Sequence, residues 1–274
     1  MNPFVTHSIT ALKRLKPGFE APICPVASLG RSVEEPSRNR TVLVGLVRSD
    51  HPLSVRFDVR APNSHTNTYL ATSSMYIAMI EGFRYLYTNY VAAFHKEITK
   101  SSGEDYGYLL QKREYCTEKN IFDDYSEDER NKLFGKAPAT VWQVMKPITD
   151  KNIKVYEGSP LTRVIIDSYR HMVLNKWLVE LKEKEIPAYR LQVSRMTRVV
   201  ANENSFDAQL WDEIASLRKK IAKDDSAVKS VISAMEEAIC QCDYEKISEL
   251  VIELSAATTE LNLLVKRYNK NVAV

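Results

Sequence analysis

Residues 40–60 read RTVLVGLVRSDHPLSVRFDVR and carry the clearest strand signal in the chain. In the first half both alternating sets are apolar, Val42, Val44 and Leu46 against Leu43 and Val47, as in a strand covered on both faces. Ser49-Asp50-His51-Pro52 makes a turn. The second half alternates Val55, Phe57 and Val59 with Ser54, Arg56, Asp58 and Arg60, which predicts a half-buried strand with two arginines on its open face. A third strand is predicted at 66–71, after the Pro62-Asn63 turn.

On the N-terminal side, Pro3, Pro17, Gly18, Pro22, Pro25, Gly30 and Pro36 break up residues 1–40, so these form an extended arm with one short helix near 9–16. On the other side, Ser73 or Ser74 caps a long helix running to about Lys100. Its apolar residues Ile77, Ile80, Phe83, Leu86, Tyr87, Tyr90, Val91 and Phe94 wrap more than one face, the pattern of a buried spine. Ser126 and Glu129 form a capping box for a short helix ending at Phe134. VWQVM (141–145) and IKVY (153–156) are strand candidates, and Ser159-Pro160 opens a helix carrying Ile166, Tyr169, Val173, Trp177 and Leu181. After Pro187, AYRLQVSRMTRVV (188–200) alternates as a long strand.

Beyond Ser205 the strand signal ends and three helical stripes follow. The third is the most regular: Ile247, Leu250, Leu254, Ala257, Leu261, Leu264 and Tyr268 alternate at three and four, a coiled-coil-like seam. Either the two preceding helices or a second copy of the chain would cover it. The expected fold is therefore α+β, an antiparallel sheet with long packed helices followed by a C-terminal helical bundle or hairpin. The expected divisions are an arm at 1–40, a basic domain at 41–201 and an acidic helical bundle at 205–270 that serves as a possible oligomerisation element.

The whole chain of 274 residues is 44% hydrophobic and 27% charged, with a net charge of +3, an ordinary globular composition that excludes collagen-like, disulfide-scaffold and wholly disordered classes. The near-neutrality is a cancellation. Residues 1–100 hold 12 basic and 7 acidic side chains and 136–200 hold 12 and 6, whereas 101–135 hold 5 and 9 and 201–274 hold 9 and 13. The basic blocks are those with strand signal, and they favour arginine, which grips phosphate through paired hydrogen bonds and stacks on bases. This pattern suits single-stranded nucleic acid. The predicted contacts are Arg40, Arg48, Arg56, Arg60, Arg190 and Arg198 on phosphates, with Tyr69 and Trp142 as stacking platforms. Self-association would run through Ile247, Leu250, Leu254, Leu261 and Leu264.

Catalytic signatures are missing: no H-E-x-x-H, C-x-x-C, P-loop, G-x-G-x-x-G or G-x-S-x-G occurs. No catalytic residue, metal ligand or cofactor is assigned. Cys24, Cys116, Cys240 and Cys242 read as reduced structural thiols, since a C-x-C pair on a helix points its thiols to different sides. The N-terminus lacks the apolar core of a signal peptide, and the longest apolar stretch, 75–94, is interrupted by Glu81 and Arg84, so the expected setting is cytoplasmic with no membrane partner.

The order of these segments, VLVGLVR and SVRFDVR, a long aromatic helix, YRLQVSRMTRVV and an acidic helical tail, resembles the RNA-binding proteins of the nucleus-like compartment of jumbo phages, with their Whirly-type single-strand-binding domain. The resemblance spans about 40–270. It implies RNA or single-stranded DNA as the partner, dimers or larger assemblies, the cytoplasm of a bacterial host, and no catalysis. Two other readings stand beside it: a structural or adaptor protein that holds partners with its C-terminal helices, and a nucleic-acid enzyme using a metal at Asp123 and Asp124.

Overall fold

The computed structural model describes residues 44–47, 49–59, 67–101, 103–104, 114, 117, 119–120, 123–134, 139–148, 156–199, 205–225 and 228–272. The chain divides into two compact units; of the described residues, 44–134, 144–148 and 156–170 belong to one, and 139–143 and 171–272 to the other.

In the first unit, β1 (Val44–Val47) and β2 (Arg56–Val59) pair antiparallel in the register Val44 to Val59 and Val47 to Arg56, joined through a 3-10 turn at Pro52–Ser54. These two strands are the whole of the sheet among the described residues. The expected larger antiparallel sheet is thus corrected to a ribbon. All four residues of β2 are exposed, so among the described residues neither face of that strand is buried.

The predicted third strand is the start of a helix. Asn67 accepts a hydrogen bond from Leu70 N at 3.1 Å and caps α1 (Thr68–Ile98), ahead of the expected cap at Ser73 or Ser74. Tyr90 breaks α1 with φ of 61° and ψ of 154°, a backbone conformation that a bulky residue rarely adopts. The chain reverses there. Tyr85 Oη donates to the Glu97 carboxylate, and the Tyr85 and Phe94 rings lie 6.0 Å apart. In a straight helix residues 85 and 97 would be about 18 Å apart. The element is therefore a helical hairpin with Tyr90 at its tip. Nor is it a buried spine: Ile80, Phe83, Tyr87, Tyr90 and Val91 are all at least half exposed, and its buried residues are Ala71, Ser74 and Glu97.

Helix α2 (Glu127–Phe134) begins at the capping box. Ser126 N and Oγ donate to Glu129 Oε2 at 2.9 and 2.7 Å, and Glu129 N donates back to Ser126 Oγ at 3.3 Å. Those bonds hold the Glu129 carboxyl below its ordinary range. VWQVM is α3 (Val141–Met145), a helix and not a strand. Its buried residues Val141, Val144 and Met145 fall at i, i+3 and i+4, and Thr140 Oγ1 accepts from Gln143 N at 3.3 Å in the first turn. Of the IKVY candidate only Tyr156 is among the described residues, buried in a single turn.

Ser159 and Pro160 precede the next helix without capping it: Ser159 Oγ accepts from Leu161 N at 3.2 Å, and α4 (Arg163–Glu180) starts beyond. Of the predicted strand at 188–200, residues 188–194 are helical instead, and 196–199 have no regular structure. Helix α4 runs into a π-helical turn, Leu181–Glu185, and on into α5 (Ile186–Ser194). Ile186 N donates to Leu181 O, five residues back. This wider turn sits immediately before Pro187, which has no N–H to give and whose ring would press on the carbonyl four residues earlier in a regular helix. The added residue lets the helix pass the proline.

The three tail stripes become α6 (Phe206–Ala222), α7 (Val231–Cys240) and α8 (Tyr244–Val272). Ser205, Ser230 and Asp243 accept from Ala208 N, Ser233 N and Lys246 N at 3.1, 3.3 and 3.0 Å, capping one helix each. Helix α8 packs on both α6 and α7. Its Ile247, Leu250, Val251, Leu254, Ala257, Leu261 and Tyr268 meet Leu210, Ile214 and Ile221 of α6 and Ile232, Met235 and Ile239 of α7 in one buried core. Tyr268 closes one end, its ring 5.3 Å from Trp211 and its hydroxyl accepting from Val199 N at 3.0 Å.

Candidate functional site

Of the predicted nucleic-acid contacts, some lie outside the described residues and the others are divided between the two units. Arg40, Arg48 and Arg60 lie outside the described residues. Arg56 on β2 and Tyr69 in the first turn of α1 are exposed in the first unit. Trp142, Arg190 and Arg198 belong to the second. Trp142 is occupied within its own unit: the ring stacks on Tyr244 at 5.3 Å and 19°, and Nε1 donates to Glu245 Oε2 at 2.9 Å. Arg190 Nη2 pairs with Glu236 Oε2 at 2.7 Å. Arg198 is exposed beyond the end of α5. Of the residues expected to mediate self-association, Ile247, Leu250, Leu254 and Leu261 are buried against α6 and α7 of the same chain, and Leu264 is half-buried.

What the first unit does present is a charged strand face beside apolar surface. Arg56 and Asp58 are two residues apart on β2, so both point to the same side of the ribbon, and both are exposed. Arg56 Nη1 donates to Ser54 O at 3.2 Å, which directs the guanidinium along the strand. On the opposite side Val55, Phe57 and Val59 are 47%, 59% and 36% exposed, although their alternation is that of a core-facing row. On α1, Ile80, Phe83, Arg84, Tyr87 and Thr88 line an open, mainly apolar groove, with Arg84 paired to Glu81 one turn away. Monomeric surfaces seldom leave so many large apolar side chains in water, so such a region marks a place where other structure packs.

Among the described residues no group of three or more His, Cys, Asp or Glu converges to hold a metal, and no helix is long and apolar enough to cross a membrane. Asp123 and Asp124 serve the turn before α2: Asn120 N donates to Asp124 Oδ2 at 2.7 Å, and Asn120 Nδ2 donates to the Asp123 carboxylate.

Residues 1–108 match the family model described as "Glutamine synthetase, catalytic domain". The chain is 34% identical over 84 residues to the glutamine synthetase of Methylococcus capsulatus, a match covering 31% of this chain and 16% of that protein. It is 35% identical over 82 residues to that of Mycobacterium tuberculosis, covering 30% and 16%, and 32% identical over 84 residues to that of Rhizobium meliloti, covering 31% and 16%. The chain thus spans about one sixth of the length of the curated relatives it matches. No solved structure matches it. These matches overturn the Whirly-type resemblance and, with it, the expected phage RNA-binding protein with a single-stranded nucleic-acid partner, self-association and no catalysis. Sequence reasoning took the basic strands for a phosphate-gripping surface because arginine on an open strand face suits any anion. The first 108 residues of this chain are similar to part of a catalytic domain of the glutamine synthetases.

Proposed function

We propose that residues 1–108 contribute a section of a glutamine-forming active site, in which a glutamate side-chain carboxylate is converted to its amide. The carrying observation is the match of this segment to the glutamine synthetase catalytic domain. Two structural features support it. The exposed apolar rows of β2 and α1 lie within the matched segment, and in this reading they are the surfaces on which further sections of such a catalytic fold pack. The second feature is Arg56, an exposed guanidinium on a hydrogen-bonded strand, which suits a carboxylate through paired charge-assisted hydrogen bonds.

In this reading Arg56 holds a substrate anion. A hydrogen bond to a charged group contributes about 1.5–3 kcal/mol, so Arg56→Ala is expected to lower kcat/KM for glutamate about ten- to hundredfold. The fold should be untouched, since the side chain is exposed and donates to a backbone carbonyl two residues away. Steady-state assays of glutamine formation, with circular dichroism as the control for folding, check this. An unchanged kcat/KM would remove Arg56 from the site.

A further inference from the structure

Helix α1 carries an apolar pattern that runs straight through its own reversal. Tyr76, Ile80, Phe83, Tyr87, Tyr90 and Phe94 follow one another at intervals of four and three, the spacing of a single seam on an unbroken helix. The folded chain interrupts that seam at its fifth member. Tyr90 adopts φ 61° and ψ 154°, a region that glycine alone enters without strain, and the second arm turns back on the first. The local sequence, LYTNYVAAF at 86–94, holds no glycine or proline to mark a turn.

Different forces favour the reversed and the straight arrangements. A break in a helix strands the first four N–H groups of the new arm, and here those belong to residues 91–94. Continuing the helix would offer them the carbonyls of residues 87–90, would extend a helix already nucleated, and would release Tyr90 from its strained backbone. Reversal gains long-range contacts instead. Tyr85 Oη donates to the carboxylate of Glu97, which is fully buried, and the Tyr85 and Phe94 rings lie 6.0 Å apart. Neither contact survives in a straight helix, where residues 85 and 94 would stand about 14 Å apart and residues 85 and 97 about 18 Å. At the tip, Tyr87 and Tyr90 are 93% and 82% exposed, so straightening there displaces no packed ring.

We propose that α1 is a two-state element, a closed hairpin in equilibrium with one continuous helix, with Tyr90 as the hinge and the Tyr85–Glu97 hydrogen bond as the latch. Opening breaks the latch, returns Tyr90 to helical dihedrals and completes the seam from Tyr76 to Phe94, about 27 Å along one helix face. Local sequence preference favours the open form and long-range contacts favour the closed one. That opposition is the condition under which two packings of one sequence lie close in free energy.

The test is chemical-exchange saturation transfer NMR on the full chain, labelled with ¹³C and ¹⁵N, read at residues 86–94. This measurement detects minor states populated at roughly 0.1–10%. The expected result is a minor state in which the Tyr90 Cα shift is helical. Tyr85→Phe keeps the ring but removes the donor to Glu97, and it should raise that population about tenfold or more. Tyr90→Gly accepts the positive φ and should lower it about tenfold. Absence of the state from both the wild type and Tyr85→Phe overturns the proposal. So does a minor state with unfolded-chain shifts throughout 86–94, a population that Tyr90→Gly leaves unchanged, or a single form in which Tyr90 is already helical.

Discussion

Trp177→Ala is expected to destabilise the second unit by about 3–5 kcal/mol, the usual cost of truncating a buried large aromatic ring. Trp177 on α4 has no exposed surface, and its indole N–H finds no acceptor among the described residues. Leaving that N–H unsatisfied costs about 1–3 kcal/mol. Burying a tryptophan removes roughly 150–250 Å² from water, which at about 25 cal/mol/Å² contributes about 4–6 kcal/mol. Apolar burial therefore wins at this position. Trp177→Phe discards the unsatisfied donor and keeps most of the ring, so it should cost less than Trp177→Ala by at least about 1 kcal/mol. Denaturant unfolding of the three proteins checks the order; Phe and Ala variants of equal stability would show that the ring is not the stabilising part.

Leu254→Ala is expected to cost about 2–5 kcal/mol and to lower the bundle's melting temperature by about 10 °C or more. Leu254 is fully buried midway along α8, with Leu250, Val251, Ala257 and Leu261 buried on the adjoining turns. Three helices converge on this core, so neighbouring side chains have little freedom to collapse into the space that Ala leaves. Leu263 on the same helix is 66% exposed, and Leu263→Ala should stay within about 0.5 kcal/mol. Calorimetry together with hydrogen exchange across 206–261 checks both. Equal effects at the two positions would contradict the assignment of α8's buried face.

The contrast between α8 and α5 shows what this sequence discloses. The stripe from Ile247 to Tyr268 is legible because its apolar residues keep a helical spacing over more than five turns, longer than any strand pattern could imitate. The residues at 188–194 mislead because a short alternation of Leu191 and Val193 fits either period, and because Pro187 reads as a stop. The π turn that carries the helix past Pro187 is a tertiary accommodation with no signature of its own in the local sequence. Asn67 could have been recognised as a cap, and Thr140 with Gln143 as a helix start, but the aromatic and β-branched residues that follow outweighed them in the reading. The reversal at Tyr90 leaves no trace, since a tyrosine at positive φ is held there by contacts such as Tyr85 with Glu97 and not by its own preference.

On β2 the alternation was legible, and the partner inferred from it was misread. Arg56 and Asp58 stand on one strand face as their alternation implies. The sequence pattern alone assigns no ligand to them, because phosphate and carboxylate ask for the same guanidinium geometry. The neighbouring apolar row, Val55, Phe57 and Val59, is the better clue: its pattern belongs to a covered strand, yet it lies in water, which fits a segment of a larger fold better than a free binding surface.

Glutamine formation from glutamate and ammonium by the full chain, with ATP supplied to drive amide synthesis, tests the proposed activity most directly. The account predicts glutamine above the protein-free background, with less formed by the Arg56→Ala variant. No glutamine above background, together with hydrogen exchange at 44–59 that glutamate leaves unchanged, would contradict it.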